Sequence, residues 1–333
     1  MKKFISFFLL LFSCGVASAQ QEKIDPNLLD TNFGTKTWSI ISQSVINIRK
    51  EPTYRAEMTT QALLGTPIKV LAKYRNWNKV QTPEGYTGWT SAPLERIDSI
   101  ALHAYNKKPR IIVTENNTNI YLQPDKSSEL LSEVVMGSIL TLLNNPSPSD
   151  FYAVSFADGR KGYLSKTAVL KWEHWQQSIQ LTGSSIENLS RRFLGVPYFW
   201  GGTSPRGLDC SGLTKTAYFM HGIILPRDAR QQYLTGTTID SAQHFSKLKK
   251  GDLLFFGRKD KNDTTRYNIV HTGIYLQNRQ FIHATDGYVQ INSLNPADKN
   301  YDKHNHSRYV IAKRIMNEPV NGIWSVFEHP WYK

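Results

Sequence analysis

The chain has 333 residues, which is enough for two or three domains. Its formal net charge of +13 favours anionic surroundings, although charge of this size also serves simple solubility. Only the amino terminus carries a long apolar run, so the sequence predicts no transmembrane segment.

Residues 1–19 have the features of an export signal. A basic start precedes an apolar stretch from Phe4 to Phe12 that is too short to span a membrane, and Ala17-Ser18-Ala19 is a small-residue cleavage site. We therefore expect an exported protein, periplasmic or secreted, for which nucleic acid is a poor partner. The alternative is a lipoprotein acylated at Cys14. If Cys14 is removed, Cys210 is the only cysteine left and has no intramolecular disulfide partner.

An internal repeat follows an amino-terminal extension over residues 20–40. Four short motifs recur in order at an offset that grows by two residues, and the extra length falls in the polar loop Asn144 to Ser149. Each copy consists of short alternating runs with Gly and Pro between them, which predicts a small β-barrel. We place the two copies at residues 41–100 and 101–170.

Aromatic residues in the repeats divide into two groups. Trp77, Trp89 and Tyr163 are expected to lie in the barrel cores. Tyr86 lies at a turn tip between two glycines, where an aromatic side chain is often exposed. Glu57 is in a loop-like stretch and by itself reads as a solvated surface charge.

Beyond about residue 172 the pattern becomes helical. Apolar spacing predicts a helix over residues 184–194, capped by Ser184 or Ser185, and a second helix that begins at Cys210. The free N–H groups and positive dipole at a helix start favour a thiolate, so we expect a lowered pKa for Cys210.

Strands follow Gly251, and two of them carry histidines. A turn at Asn278-Arg279 predicts a hairpin that brings His271 and His283 side by side. A thiol nucleophile needs a base, and the base needs an orienting partner. Cys210 with these two histidines supplies that minimum set.

Six motifs occur in order in this region: Pro197-Tyr198-Phe199-Trp200-Gly201-Gly202, Asp209-Cys210-Ser211-Gly212, Leu225-Pro226-Arg227, Gly251-Asp252-Leu253, His271-Thr272-Gly273-Ile274-Tyr275 and Ile282-His283-Ala284. With them, residues 180–315 resemble the NlpC-type family of papain-like cell-wall peptidases. Both repeats resemble bacterial SH3-like domains. The resemblance implies a multidomain fold: two small all-β SH3-like barrels, then an α+β papain-like catalytic domain over residues 171–333, with helices ahead of an antiparallel sheet.

The resemblance also implies a role for each matching residue, and no cofactor. Cys210 is the nucleophile, His271 the base and His283 the residue that orients it, while Tyr198 helps to stabilise the oxyanion. The substrate-binding positions that match are Asp209, Ser211, Trp200, Arg227, Glu57 and Tyr86.

Within the family, the layout resembles γ-D-glutamyl-L-diamino acid endopeptidases. The implied reaction releases L-Ala-γ-D-Glu from peptidoglycan-derived peptides with a free amino terminus. In that group the first SH3-like domain closes one end of the cleft, and the terminal ammonium is bound by an acidic residue, a Tyr and the Asp before the nucleophile. Glu57, Tyr86 and Asp209 are the matches, and Arg227 is the candidate to hold the D-Glu carboxylate.

Three other interpretations stay open at this point. Cys210, His271 and His283 could hold zinc, although no close-spaced ligand pair is present. The chain could be a non-catalytic wall-binding protein, or an endopeptidase that cuts intact peptidoglycan. The sequence leaves the diamino acid and the role of the loop at 257–268 unassigned, and we expect a monomer.

Overall fold

The computed structural model describes residues 24–144, 150–259, 263, 267–315 and 323–333. The predicted signal segment over residues 1–19, with Cys14, lies outside them. No helix among the described residues is long and apolar enough to cross a membrane.

The first barrel is a seven-stranded antiparallel sheet. Its strands are β1 (Leu29–Asp30), β2 (Trp38–Ile40), β3 (Val45–Arg49), β4 (Met58–Leu63), β5 (Pro67–Tyr74), β6 (Trp77–Gln81) and β7 (Thr87–Thr90). They pair in the order β1-β5-β6-β7-β3-β4, with β2 also on β5. Alternate residues of β3 point inward, so Ile46 and Ile48 pack with Ile68 and Val80 in the barrel core.

A helix, α1 (Ser99–Asn106), leads into the second barrel, which also has seven antiparallel strands. These are β8 (Arg110–Val113), β9 (Asn117–Tyr121), β10 (Leu130–Val135), β11 (Ile139–Leu142), β12 (Phe151–Ser155), β13 (Lys161–Ser165) and β14 (Val169–Lys171). Their order is β10-β9-β13-β12-β11-β8-β14.

The repeat seen in the sequence has a structural counterpart at two glycines. A Cβ on Gly88 would lie 2.5 Å from Ile48 Cγ2, and one on Gly162 would lie 2.6 Å from Ile120 Cγ2. Each copy therefore needs glycine at the position where one strand passes close to a core isoleucine, and the two isoleucines occupy equivalent positions in the two copies.

The aromatic predictions are confirmed in the first copy and wrong in the second. Trp77 and Trp89 are buried, where they form a cluster with Tyr74. Tyr163 is only half-buried, because its place on β13 faces Tyr121 at the sheet surface rather than the core.

The catalytic domain is α+β, as expected. Its helices are α2 (Trp172–Ser178), α3 (Gly183–Arg191), α4 (Cys210–Phe219), α5 (Ala229–Gln232) and α6 (Lys303–Ser307). Its strands are β15 (Thr203–Ser204), β16 (Gly207–Leu208), β17 (Ile223–Ile224), β18 (Thr237–Asp240), β19 (Leu253–Lys259), β20 (Tyr267–Tyr275), β21 (Gln280–Ala284), β22 (Val289–Ser293), β23 (Tyr309–Arg314) and β24 (Trp324–Ser325). The main sheet has the order β18-β23-β19-β20-β21-β22.

Local signals explain the elements that carry the site. Helix α3 is capped by Thr182 in a capping box with Ser185, rather than by either predicted serine. The hairpin between β20 and β21 turns at Asn278 and Arg279, which have φ of 51° and 63°, as a tight two-residue turn requires. Between β19 and β20, Lys259 pairs with Tyr267, so the described ends of the loop at 257–268 continue the two strands.

The carboxy-terminal segment ties the three domains together. Asn106 Nδ2 donates to the carbonyls of Trp331 and Lys333, at 2.9 and 3.0 Å, and Arg110 Nη2 donates to that of Tyr332 at 3.0 Å. His329 reaches the Pro83 carbonyl of the first barrel at 3.1 Å. These contacts hold the barrels in a fixed relation to the catalytic domain.

Candidate active site

The nucleophile candidate opens a helix, as predicted. Cys210 is the first residue of α4, and Asp209 caps that helix by accepting from Gly212 N at 2.7 Å. Gly212 has to be glycine, because a Cβ there would collide with the Gly202 carbonyl. The first turn of α4 therefore lies directly against the loop that contains Tyr198 and Trp200.

The expectation of a lowered thiol pKa is wrong. Burial raises the pKa of Cys210 to about 12, and the negative charge of Asp209 adds to that rise. Backbone N–H groups of Thr272 and Ser211 act in the opposite direction but do not outweigh burial. The thiol is thus protonated at neutral pH and needs a base to remove its proton.

A hydrogen-bonded chain of three side chains begins at His271, the predicted base. His271 Nε2 lies 2.8 Å from His283 Nδ1, and His283 Nε2 lies 3.0 Å from Asn292 Oδ1. Asn292 Nδ2 donates to the carbonyl of Asn300 at 3.4 Å, which fixes Oδ1 as the atom that faces His283. His283 then donates from Nε2 and accepts at Nδ1 from the Nε2–H of His271.

This assignment leaves Nδ1 of His271 as an unprotonated acceptor. Burial lowers the pKa of His271 well below its usual value, and the neighbouring His283 lowers it further. The ring is therefore neutral and able to take a proton. Because the thiol of Cys210 meets the N–H of Thr272, the sulfur lies beside the strand residue that follows His271.

Asn292 was not predicted. It lies on β22, two residues beyond Gln290, the register partner of His283, so both side chains share a face of the sheet. Period-two alternation along that strand was the available signal.

Tyr198 lies on the other side of the nucleophile. A bridge to Leu208 and a hydrogen bond from its N–H to the Gly287 carbonyl at 2.8 Å hold its backbone. Burial raises the pKa of Tyr198, and the nearby Cys210 and Asp209 raise it further. Its phenol stays protonated and can donate a hydrogen bond to a developing oxyanion.

Asp209, Ser211 and Arg227 form a closed network below the nucleophile. Arg227 Nη2 and Nη1 lie 2.6 and 3.2 Å from the two Asp209 carboxylate oxygens, and Nη1 also donates to Ser211 Oγ at 2.9 Å. Its Nε donates to Thr60 Oγ1 of the first barrel at 2.9 Å. Arg227 is 1% exposed.

This network corrects the expectation that Arg227 grips the D-Glu carboxylate. Its contacts use four of its five N–H groups, and its guanidinium does not reach the cleft surface. Instead it joins the nucleophile helix to the first barrel. Direct substrate contact by Asp209 and Ser211 stays a prediction.

The first barrel brings Tyr86 and Glu57 to the same end of the cleft. The Tyr86 hydroxyl donates to the Asp228 carboxylate, and burial together with Asp228 raises the pKa of Tyr86 to about 12. Glu57 interacts electrostatically with Tyr86 and is exposed. Burial raises the pKa of Asp228, although the charge of Arg227 opposes that rise.

Asp228 is thus a second acidic residue that sequence reasoning missed. Its position beside Arg227 was visible, but its partner Tyr86 belongs to another domain. Trp200 is 59% exposed, and Phe199 beside it is 48% exposed, so this loop offers an apolar surface next to the nucleophile. Gly201 in the same loop approaches the Met58 carbonyl of the first barrel, next to Glu57.

The geometry is unsuited to the zinc interpretation. The facing nitrogens of His271 and His283 bond each other, so they cannot both point at one ion. Within the described ranges, no group of three His, Cys, Asp or Glu side chains is arranged to hold a metal ion.

Comparison with known proteins agrees with this architecture. Residues 195–309 match the NlpC/P60 family, and residues 44–94 match the bacterial SH3 domain. A γ-D-glutamyl-L-lysine dipeptidyl-peptidase of Bacillus cereus is 32% identical over 249 residues, which cover 72% of this chain and 71% of that one. Dipeptidyl-peptidase 6 of Lysinibacillus sphaericus is 28% identical over 267 residues, covering 77% of this chain and 91% of that protein.

A solved structure extends the similarity to the whole layout. The crystal structure of an NlpC/P60 family protein from Bacillus cereus superposes with a TM-score of 0.70 at 25% sequence identity, and covers 84% of this chain and 99% of that one. The fold and these similarities define a hydrolase of the peptidase class. The chain belongs to the NlpC/P60 family, whose members act on peptidoglycan-related peptides.

Proposed function

We propose that this protein is a cysteine peptidase that hydrolyses the bond between γ-D-Glu and a diamino acid in peptidoglycan-derived peptides with a free amino-terminal L-Ala. An exported enzyme of this kind would serve cell-wall peptide turnover. The observation that carries the proposal is the wall of Glu57, Tyr86 and Asp228 at one end of the Cys210 cleft.

The wall has the chemistry of an ammonium site. Glu57 and Asp228 both carry a carboxylate, and Tyr86 orients one of them through its hydroxyl. Arg227 is paired with Asp209 at 2.6 Å, so its single positive charge is shared between Asp209 and Asp228 and leaves the wall with an excess of carboxylates. A terminal ammonium placed there gains charge-assisted hydrogen bonds.

The first chemical step follows from the protonation states. His271 Nδ1 removes the thiol proton as the sulfur of Cys210 attacks the γ-carbonyl carbon of D-Glu. The carbonyl electron pair moves to oxygen, where the N–H groups at the start of α4 and the Tyr198 hydroxyl stabilise it. His283 and Asn292 hold the tautomer of His271 and stabilise the positive charge it gains.

The second step releases both products. The oxyanion collapses, the C–N bond breaks and His271 gives its proton to the departing α-amine of the diamino acid. Water, deprotonated by His271, then attacks the thioester, and the C–S bond breaks to release L-Ala-γ-D-Glu and the free thiol.

The test compares free peptide with intact wall. The mature chain is incubated with L-Ala-γ-D-Glu-diamino acid tripeptide or with purified sacculi, and products are identified by mass spectrometry. We expect L-Ala-γ-D-Glu from the tripeptide and little from sacculi. Equal release from sacculi would replace the proposal with an endopeptidase of intact peptidoglycan, and no release from either would leave a wall-binding protein.

A further inference from the structure

A basic groove adjoins the His271 side of the nucleophile. It has a volume of about 610 Å³ and is lined in part by Arg258, Lys259, His304 and Arg308. No carboxylate lines it among the described residues. A groove with this charge is suited to an anionic group.

The guanidinium of Arg308, in this groove, is held in position by a buried side chain. Its Nε and Nη2 donate to Asn305 Oδ1 at 3.0 and 2.8 Å. Asn305 is 2% exposed, and its own N–H donates to Asp302 Oδ1 at 2.8 Å. Within the part of the chain that the structure describes, these bonds use two of the five guanidinium N–H groups, and the other three include a fork that matches a carboxylate.

The sheet places Arg308 near the reacting atoms. Its carbonyl accepts from Gly257 N at 2.8 Å, and the neighbouring Phe256 pairs with His271 in the sheet. Arg308 and His304 both lower the pKa of His271, and Arg308 also interacts with Cys210. The other charged residues that interact with Arg308 are Asp302, Arg258 and the exposed Asp286.

The chemistry decides which part of the substrate faces this groove. His271 protonates the departing amine, so the diamino acid has to lie beside His271 and not beside Tyr86 and Asp228 at the ammonium end. The groove with Arg308 is therefore on the leaving-group side.

We propose that Arg308 binds a carboxylate of the departing diamino acid and so sets the preference for the leaving group. This inference rests on the proposed function. Two carboxylates are available: the α-carboxylate, which every free tripeptide carries, and the second carboxylate of diaminopimelate, which lysine lacks. Arg258 and Lys259 extend the positive charge beyond Arg308 and disfavour the side-chain ammonium of lysine.

The experiment measures kcat/KM of the mature chain and of Arg308→Gln on three peptides. Each begins with L-Ala-γ-D-Glu and ends in diaminopimelate, lysine or lysine amide. We expect a loss of roughly tenfold to hundredfold wherever the bound carboxylate is present, and no loss on lysine amide. Loss on the diaminopimelate and lysine peptides alike identifies the α-carboxylate, and loss on the diaminopimelate peptide alone identifies the second carboxylate.

Two outcomes overturn the inference. An equal loss on all three peptides would show that Arg308 acts on His271 or on folding, and no loss on any would show that it binds nothing. Arg308→Lys should keep part of the activity, and Lys303→Gln, at the start of the helix that ends just before Arg308 but outside the groove, should match wild type. If wild type cleaves none of the three, the proposed function fails and this inference with it; cleavage of all three with an unselective variant removes this inference alone.

Discussion

The two SH3-like copies share a fold but differ at the residues that face outward from it. At the turn where the first copy has Tyr86, the second has Arg160 in the aligned position. Tyr86 donates to Asp228 at the cleft. Arg160 instead binds Asp158 at 2.8 Å and the Ser42 carbonyl at 2.6 Å, and lies over the Phe156 ring.

The second copy serves as a support for the other domains. Its Ile112, Met136 and Ile139 pack into the hydrophobic core of the catalytic domain, and the exposed pair of Glu133 and Arg206 at 3.1 Å adds a contact at the surface. The first copy contacts the buried Arg227 through Thr60 and places two side chains at the substrate end. The two copies share the barrel fold, and they differ in that the first contacts Arg227 beside α4.

The largest expected effect is on kcat, and it comes from a change in the catalytic domain. Cys210→Ala removes the nucleophile, so kcat should fall by at least about 10³-fold, while free tripeptide should still bind because the ammonium wall is intact. Turnover assays with isothermal titration of the same variant check both parts. Hydrolysis retained by Cys210→Ala would contradict the assignment.

The next largest effect is on kcat/KM, and it distinguishes the roles of the two SH3-like copies. Glu57→Gln or Tyr86→Phe should lower kcat/KM for free tripeptide roughly tenfold to hundredfold, because a charged hydrogen bond to the ammonium is lost or misdirected. Steady-state kinetics measure the change. The matched variants of the second copy, Glu129→Gln and Arg160→Gln, should leave kcat/KM unchanged; a comparable loss in either would erase the distinction between the copies.

The pH profile distinguishes the base from the wall. His271 acts only when neutral, and its pKa is lowered by burial, so kcat/KM should hold as pH falls through 6.5 and decline only at lower pH. Asp228→Asn should lower the whole profile without moving this acid limb. A limb at or above the ordinary histidine pKa would show that His271 is not the base.

The smallest expected effect is on stability. Thr60→Val leaves the Nε–H of the buried Arg227 without an acceptor, which should cost about 1–3 kcal/mol of unfolding free energy. The aligned Ser132→Ala in the second copy should change it by about 0.5 kcal/mol or less. Denaturant unfolding of both variants gives the comparison. Equal destabilisation would show that the hydrogen bond between Arg227 and Thr60 contributes no extra stability.

The sequence predicted what depends on neighbours along the chain. The Cys210 turn, the Asn278-Arg279 hairpin and the repeat were all visible as local patterns. The sequence could not predict contacts between distant segments, such as Tyr86 with Asp228 or Thr60 with Arg227. The prediction of a lowered pKa for Cys210 was wrong for the same reason. The helix start is a local feature, whereas the burial that raises the pKa depends on the whole fold.

The most direct test of the account is the ratio of kcat/KM for L-Ala-γ-D-Glu-diamino acid tripeptide with a free and with an acetylated amino terminus. Acetylation removes the ammonium charge and leaves the Glu57 and Asp228 carboxylates facing a group they cannot pair with. We expect kcat/KM to be at least about 30-fold higher for the free peptide than for the acetylated one, and we expect this ratio to be smaller in Asp228→Asn. Equal cleavage of the two peptides by wild type would contradict the claim that the first SH3-like copy selects the substrate.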